Sequence, residues 1–306
     1  MARDQRERPG YMRRIARLIF RICVAATAVS ALAAADAGPR GIMSLSYNPS
    51  GTDSEAQMQK GFSEADLRAD LRRLAAHTGR IRTYSLEFGL DRVPALAREL
   101  GLKVSLGIWL GSDRAKNRAE MAKIAQLVAG YPATIDRLFV GNETIVRGDL
   151  AAGDVIIYLR EARRLLAGRN IPISTAEPWH IWLKHPELAV EVDFIGAHLL
   201  PFWDGVPAAA AASYLAHRFD ELRTALPGKK IMIAETGWPS KGAPHQAATA
   251  SVEAQASFVK QFMRQAADRG YDYNIAEAFD QPWKAPQEAG TFWGVLDNSG
   301  KAKFDF

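Results

Sequence analysis

The sequence has almost no cysteine and no hydrophobic run long enough for a typical membrane span. Its 306 residues include one cysteine, Cys23, which lies in a distinctive N-terminal segment. Beyond that segment, disulfides, thiolate metal sites and a cysteine nucleophile are therefore excluded. The apolar segment over residues 22–35 has fourteen residues, fewer than a transmembrane helix normally needs.

The N-terminus has the pattern of a secretory signal. Seven arginines precede the apolar segment, and the segment ends in Ala33-Ala34-Ala35, which resembles a cleavage site. We expect residues 1–35 to be a signal peptide that is cleaved, with an uncleaved anchor in the inner membrane as the alternative. The expected location is the periplasm or the outside of the cell.

The charge balance does not indicate a nucleic-acid partner. The leader holds seven of the 39 Lys and Arg residues and two of the 34 Asp and Glu residues, which leaves 32 of each sign. A neutral remainder lacks the basic field that attracts nucleic acid. His180 and His185 do not have the spacing of a helical zinc motif. We therefore expect no metal and no cofactor. A monomer is expected, although no sequence pattern reports the oligomeric state.

Beyond the leader, short apolar runs alternate with amphipathic segments. The runs are typical of strands buried on both faces, as in a parallel sheet. The predicted strands are residues 41–47, 81–84, 103–109, 135–140, 171–176, 192–198, 230–234 and 273–279. The predicted helices are residues 63–78, 91–100, 114–129, 154–167, 208–226 and 251–268.

Eight strands separated by helices, with no internal linker, predict that residues 41–306 form one (β/α)₈ TIM barrel domain. The alternative is a doubly wound sheet that binds a nucleotide. That fold normally has a glycine-rich turn after its first strand, whereas this chain has Asn48-Pro49-Ser50-Gly51. Residues 281–306 show no helical pattern, so we expect the last helix to be missing or irregular.

Two glutamates follow matching strands of the predicted barrel. The fourth strand leads into Asn142-Glu143 and the seventh into Glu235-Thr236. Active sites of such barrels lie at the C-terminal ends of the strands, so both carboxylates are expected at one mouth. One protonated and one ionised carboxylate can cleave a glycosidic bond, and retention of configuration requires ~5–5.5 Å between them. For either glutamate alone, a salt bridge at the rim is the competing interpretation.

The sequence around both glutamates resembles glycoside hydrolase family 17, the β-1,3-glucanase family of clan GH-A. The matching strings are V-G-N-E at 140–143, A-E-T-G-W-P-S at 234–240, S-Y-N-P at 46–49, R-T-Y-S at 82–85 and E-A-F-D-Q-P-W-K at 277–284. The resemblance runs from Gly41 to Gly294 and is to the compact, bacterial type. It implies that Glu235 is the nucleophile, that Glu143 is the acid/base and that Asn142 contacts the sugar 2-hydroxyl.

Further substrate contacts are expected from residues near the strand ends. These are Tyr47, Tyr84, His198, Trp203, Trp238, Trp283, Lys284 and Glu288. Aromatic rings stack on pyranose faces, and Trp203 and Trp238 are the best candidates for this role. Lys284 and Glu288 are expected to bind sugar hydroxyls or to orient Glu235. The sequence departs from the family pattern at two places. Relatives commonly have a tyrosine near the proline of the segment 198–202, and many have an acidic residue at the position of Gln281.

The resemblance predicts an enzyme that hydrolyses β-1,3-glucan or transfers its sugars, and the sequence does not choose between the two reactions. The alternative from another class is a catalytically silent β-glucan-binding barrel of the cell envelope. A binding-only descendant would be free to lose one carboxylate, whereas this chain keeps both with their flanking residues. A metal-dependent barrel hydrolase is a third alternative, and no ligand cluster in the sequence supports it.

Overall fold

A computed structural model describes residues 41–52, 54–284 and 289–306. They form a closed barrel in which eight strands follow one another in chain order. The predicted TIM barrel is therefore confirmed. The predicted leader, residues 1–35, and the predicted contact residue Glu288 lie outside the described residues.

The strands are short and pair in parallel. They are β1 (Leu45–Ser46), β2 (Arg80–Arg82), β3 (Lys103–Ile108), β4 (Ile135–Asn142), β5 (Ile173–Pro178), β6 (Phe194–His198), β7 (Lys230–Thr236) and β8 (Asp272–Ile275). Leu45 pairs with Ile275, and this pairing of β1 with β8 closes the barrel. β1 and β8 are shorter than predicted because only part of each apolar run joins the sheet.

Helices surround the barrel, and all but the first of them contribute apolar side chains to the core around it. They are α1 (Glu55–Gln59), α2 (Glu64–Ala75), α3 (Val93–Glu99), α4 (Arg114–Gly130), α5 (Ala152–Leu165), α6 (Trp179–Lys184), α7 (Glu187–Glu191), α8 (Ala208–Ala225) and α9 (Val252–Arg269). The short helices α1, α6 and α7 were not predicted, because five or six residues are too few for a periodic pattern. Within the described residues no α-helix follows β8, as expected.

The interior of the barrel is arranged in layers along its axis. Near the N-terminal ends of the strands, an ion-pair network joins Arg80, Asp136, Arg137 and Asp272. Above it lies a small apolar cluster formed by Phe139, Ala176, Phe194, Met232 and Ala234. The Arg82 guanidinium lies over this cluster, 4.5 Å from the centre of the Phe139 ring. The space at the C-terminal ends of the strands is left for polar side chains.

Candidate active site

A cleft of about 340 Å³ opens at the C-terminal ends of the strands. Its lining consists of Asn48, Tyr84, Trp109, Asn142, Glu143, Leu200, Trp203, Glu235, Ala276, Glu277, Trp283, Lys284, Gly290 and Trp293. The fold therefore brings Glu143 and Glu235 to the same cleft, as the sequence predicted. It also places Asn142, Tyr84, Trp203, Trp283 and Lys284 there.

Glu143 follows β4 in an uncommon backbone conformation. Its φ is +54°, and the φ of Gly141 two residues earlier is +87°. A Cβ at position 141 would lie 2.7 Å from Thr144 Oγ1, so both the backbone angle and the available space require glycine. A non-glycine residue at positive φ is strained, and such residues concentrate at functional sites. The turn presents the Glu143 side chain to the cleft.

Glu235 belongs to β7 and lies beside an irregularity of the sheet. The register shifts between Ala197 and His198, where β6 pairs with β7, and again between Ile233 and Thr236, where β7 pairs with β8. Irregular pairing of this kind changes the direction in which side chains point. It leaves His198 directly opposite Glu235 in the sheet.

The two glutamates are close enough to act on one sugar ring. A carboxylate oxygen of Glu143 and one of Glu235 lie within 4.8 Å of each other. Retaining glycosidases place their two carboxyl groups ~5–5.5 Å apart, and inverting ones ~6.5–9.5 Å apart. An approach of two oxygens to within 4.8 Å lies below the longer of these two ranges.

Three polar groups surround one oxygen of Glu235. Arg82 Nη1 and the Tyr84 hydroxyl each donate to Glu235 Oε1 at 2.8 Å, and His198 Nε2 lies 3.5 Å from it. Arg82 is fully buried, so its charge acts on Glu235 with little screening by water. Burial and the neighbouring Glu235 charge raise the pKa of Tyr84 well above its ordinary value. Tyr84 therefore remains a hydrogen-bond donor.

Glu143 is bonded to the other nitrogen of the same histidine. His198 Nδ1 donates to Glu143 Oε1 at 2.8 Å. Burial raises the pKa of Glu143, but the hydrogen bond and charge of His198, together with Arg147 and Arg82, outweigh burial and lower that pKa below its usual value. With this hydrogen bond in place, Glu143 is held in its ionised form.

Arg82 links the surroundings of the two glutamates, although the sequence did not identify it as a site residue. Its Nη2 donates to Asn142 Oδ1 at 2.6 Å and its Nη1 to Ala234 O at 2.9 Å. Because Asn142 Oδ1 accepts from Arg82, Asn142 Nδ2 is the donor that this side chain can offer to a sugar. The R-T-Y-S string contained the arginine, but its role depends on which residues stand opposite it in the closed barrel.

A third glutamate, Glu277, forms part of the cleft wall and was also not identified from the sequence. Its Oε1 accepts from Lys284 Nζ at 2.9 Å and its Oε2 from Asn48 Nδ2 at 3.2 Å. Burial raises the pKa of Glu277, while Lys284 and Asn48 partly oppose this effect. Lys284 therefore bonds Glu277. This differs from one of the two roles expected of Lys284, in which it orients Glu235. It still lines the cleft, where it can meet a sugar hydroxyl.

Several aromatic rings line the cleft. Trp203 is 43% exposed and is stacked on Trp293, with ring centres 5.8 Å apart. Trp109 is 38% exposed and also lines the cleft. The Trp283 indole donates to Gln281 Oε1 at 2.7 Å, which fixes the orientation of this ring. These rings offer the flat apolar surface that stacks on sugars.

The structure corrects three of the predicted substrate contacts. Trp238 is fully buried and its indole donates to Thr249 O, so it packs in the core. Tyr47 is fully buried and its hydroxyl bonds Asp70. His198 is 1% exposed and contacts the two carboxylates from inside the barrel, and it is not among the residues lining the cleft. A residue at a strand end can point either to the cleft or to the core, and the sequence does not say which.

Among the described residues, the ligand atoms of Glu143, His198 and Glu235 form a group within 4.8 Å that could approach a cation. The sequence did not indicate this group, because its members are far apart in the chain. Arg82 Nη1 lies 2.8 Å from Glu235 Oε1 and 3.4 Å from His198 Nε2. A guanidinium at these distances repels a metal ion. The arrangement favours proton transfer over metal binding.

Two carboxylates that meet at the mouth of a (β/α)₈ barrel are typical of glycoside hydrolases. The family comparison agrees with this class. Residues 44–294 match the family model described as the BtgE/BtgC glycoside hydrolase domain, and the chain belongs to this family.

Fungal proteins are similar to this chain over most of its length. The protein btgC of Aspergillus niger, named as a glucan endo-1,3-beta-glucosidase, is 26% identical over 291 residues, which cover 85% of this chain and 42% of btgC. A glucan 1,3-beta-glucosidase of Arthroderma benhamiae is 27% identical over 266 residues, which cover 79% of this chain and 84% of that protein. This chain thus spans less than half the length of btgC.

Solved structures share the fold. An active-site mutant of the Rhizomucor miehei β-1,3-glucanosyltransferase, in complex with laminaritriose, has a TM-score of 0.78 at 26% identity and covers 87% of this chain and 96% of its own. That transferase is described as a member of glycoside hydrolase family 17, which confirms the family resemblance. An endo-laminarinase from Formosa has the same fold, with a TM-score of 0.76 at 18% identity over 85% of this chain and 84% of its own.

Proposed function

We propose that this chain is a retaining glycoside hydrolase or transglycosylase that acts on β-1,3-glucan. The observation that carries the proposal is the approach of the Glu143 and Glu235 carboxylates to within 4.8 Å at the barrel mouth. The relatives support the substrate class, because their names refer to 1,3-β-linked glucan and one is described with laminaritriose. Hydrolysis and transfer share the same first step, so one site accommodates both.

In the first step Glu235 attacks the anomeric carbon while Glu143 protonates the leaving glycosidic oxygen. The bond between the sugar and its leaving group breaks as the ester to Glu235 forms. Arg82 and Tyr84 hydrogen-bond Glu235 Oε1 and hold the carboxylate in one orientation for this attack. Asn142, oriented by Arg82, donates to the sugar 2-hydroxyl.

In the second step Glu143 acts as a base. It takes the proton of an acceptor hydroxyl, which attacks the anomeric carbon and releases Glu235. Water as the acceptor gives hydrolysis, and a sugar hydroxyl gives a longer or branched glucan. A pKa of Glu143 below the usual value suits this step. A sugar in the cleft excludes water and increases burial, which raises the pKa of Glu143 and favours the protonated form that the first step needs.

The remaining lining residues account for substrate binding. The exposed rings of Trp109 and Trp203 and the partly buried ring of Trp283 stack on successive glucose units. Glu277 and Lys284 place an acceptor and a donor beside each other, a combination that suits the hydroxyls of a sugar. These contacts need only hydroxyl groups and ring faces on the substrate, which suits an uncharged glucan.

We also propose that the protein is exported, either to the periplasm or out of the cell. The support is the basic and apolar pattern of residues 1–35 in the sequence. Of the helices in residues 41–52, 54–284 and 289–306, none is long and apolar enough to span a bilayer.

The purified protein is expected to convert a short laminarin oligosaccharide, such as laminarihexaose, into other oligosaccharides. Mass spectrometry separates the two reactions, because hydrolysis yields only shorter products and transfer also yields longer ones. Proton NMR during the first minutes should show β-anomers from either reaction, since two displacements retain configuration. Binding of the oligosaccharide without any product would contradict the proposal and favour the silent binding barrel.

Replacement of His198 by asparagine is expected to raise the pKa of Glu143. The substitution removes the histidine charge that lowers this pKa, whereas burial, which raises it, remains. Of the charged groups around Glu143, Arg147, Arg82, Glu177 and Glu235 are unchanged. Because glycosylation needs protonated Glu143, the alkaline limb of the pH profile of kcat/KM should move to higher pH.

The matched control for this prediction is His185→Asn. His185 Nδ1 lies 3.0 Å from Glu187 Oε1, so it is also a histidine–glutamate pair, but it lies outside the cleft. The pH profile of His185→Asn should coincide with that of the wild type. An alkaline limb that stays in place or moves to lower pH in His198→Asn would show that His198 does not depress the pKa of Glu143.

A further inference from the structure

The turn that carries Glu143 is held by a buried carboxylate to which the reaction assigns no role. Glu177 lies near the end of β5 and is 0% exposed. Its Oε1 accepts from the Ile145 backbone N–H at 2.8 Å and its Oε2 from the Val146 N–H at 3.3 Å. These two amides follow Glu143 by two and three residues. Both oxygens of Glu177 are thus directed at the backbone of the Glu143 turn.

The segment after Glu143 is a single helical turn whose first amides need acceptors. Arg147 N donates to Glu143 O at 3.0 Å, and Gly148 N donates to Ile145 O at 3.0 Å. The first N–H groups of a helical turn have no partner inside it, and they carry a partial positive charge. Glu177 accepts hydrogen bonds from two of them, although it lies on the neighbouring strand β5. The side chain of an N-cap residue does the same from a position next to its helix in the sequence.

The strained backbone of Glu143 explains why this support matters. With φ at +54°, Glu143 keeps its position only if contacts around it determine the turn. The Glu143 N–H donates at 2.7 Å to the carbonyl oxygen of Ala176, the residue directly before Glu177. Residues 176 and 177 therefore hold the turn at three backbone amides, those of Glu143, Ile145 and Val146.

We propose that Glu177 is a positioning residue for the acid/base Glu143, acting through the backbone of the turn at 143–147. Glu177 is not among the residues that line the cleft, so it touches neither the sugar nor the reacting atoms. The inference rests on the role proposed above for Glu143. Loss of the Glu177 contacts lets the turn relax and moves the Glu143 carboxyl group away from the glycosidic oxygen, while the attack by Glu235 is left intact.

The informative variant is Glu177→Gln, which has nearly the same shape. Its amide oxygen can accept from one of the two backbone N–H groups, but its NH₂ group faces the other and repels it. The other groups around Glu177 are His198, whose charge lowers the pKa of Glu177, and Glu143, whose charge raises it. Burial raises the pKa of Glu177 more than any other effect.

Two aryl β-laminaritriosides that differ only in their leaving group serve as probes. Departure of 2,4-dinitrophenolate needs no proton, whereas departure of 4-methoxyphenolate needs help from the acid. In Glu177→Gln we expect kcat/KM for the methoxyphenyl substrate to fall by about 10- to 100-fold, a partial loss of general acid catalysis. For the dinitrophenyl substrate we expect a change of less than about threefold, because the attack by Glu235 is unaffected.

Glu120→Gln is the matched control. Glu120 is also a buried carboxylate whose pKa is raised by burial, and it accepts from the Leu86 backbone N–H at 3.0 Å and from Ser85 Oγ at 2.6 Å. It supports the loop after β2 and not the Glu143 turn. Any loss of activity in Glu120→Gln should therefore be equal for the two substrates.

Equal losses on both substrates in Glu177→Gln, or no loss on either, would overturn the positioning role. Thermal unfolding identifies a variant that fails to fold, and Glu177→Asp then replaces it, because its shorter carboxylate cannot reach both amides. The same leaving-group dependence is expected of Glu177→Asp, and its absence counts against the proposal equally. Glu143→Ala, measured in parallel, distinguishes a failure of the proposed function from a failure of the role of Glu177 alone. If it lacks leaving-group dependence, the proposed function itself fails; if it shows this dependence and the Glu177 variants do not, only the role of Glu177 fails.

Discussion

Replacing Glu235 with alanine is expected to abolish turnover of β-1,3-glucan, with kcat lower by about 10⁵- to 10⁶-fold, the size of effect seen when a covalent nucleophile is removed. This corresponds to about 7–8 kcal/mol of transition-state stabilisation. The reason is that Arg82 and Tyr84 orient this oxygen for attack, so its loss removes the group that is held in place to form the covalent bond. Initial rates of release of reducing sugar or of longer products measure the loss.

Azide is expected to restore part of the activity of Glu235→Ala, measured as release of dinitrophenolate from a 2,4-dinitrophenyl β-laminaritrioside. The small anion enters the space left by the Glu235 side chain and attacks the anomeric carbon directly. One displacement replaces two, so the product should be the α-glycosyl azide, which NMR identifies. A β-azide, or glucan turnover near the wild-type rate, would contradict the role of Glu235 as nucleophile.

The fold of this variant needs its own control, because Arg82 loses a charged partner. Arg82 is buried, and the partners that remain are Ala234 O, Asn142 Oδ1 and, at 3.4 Å, His198 Nε2. A buried charge deprived of its partner is destabilising. Glu235→Gln keeps an oxygen for Arg82 and is equally unable to act as a nucleophile. Both variants should be inactive, and the glutamine variant should unfold closer to the wild-type temperature.

Glu143→Ala is expected to lower kcat/KM on glucan by about 10³-fold, within the range usual for loss of a general acid. On the 2,4-dinitrophenyl trioside the first step should remain fast, since that leaving group needs no proton. The second step should become slow because no base activates the acceptor. A rapid burst of dinitrophenolate followed by slow turnover is therefore expected in stopped-flow absorbance measurements.

Azide also distinguishes this variant from Glu235→Ala. It needs no base, so it should accelerate the slow second step of Glu143→Ala and attack the covalent intermediate. Two displacements then occur, and the product should be the β-glycosyl azide. Opposite anomers from the two variants would establish separate roles for the two carboxylates. The same anomer from both, or no burst in Glu143→Ala, would show that the assignment is wrong.

The positions of the two glutamates could be predicted because they follow from local sequence. Each comes at the end of an apolar strand, and parallel strands of a barrel end at a common mouth. The surrounding strings then identified the family, which the match over residues 44–294 confirms. The side-chain directions were harder to predict. Trp203 and Trp238 follow strands in the same way, yet Trp203 reaches the cleft and Trp238 fills the core.

The sequence by itself determined the barrel, the family and the pair Glu143 and Glu235, because strand periodicity and short motifs are local properties of the chain. Only the tertiary structure decided that His198 contacts both glutamates, that Arg82 contacts Glu235 and Asn142, and that Glu177 accepts from the backbone of the Glu143 turn. These roles depend on which side chains face one another across the closed barrel. That relation is set by strand register and packing between residues distant in the chain, which no local pattern encodes.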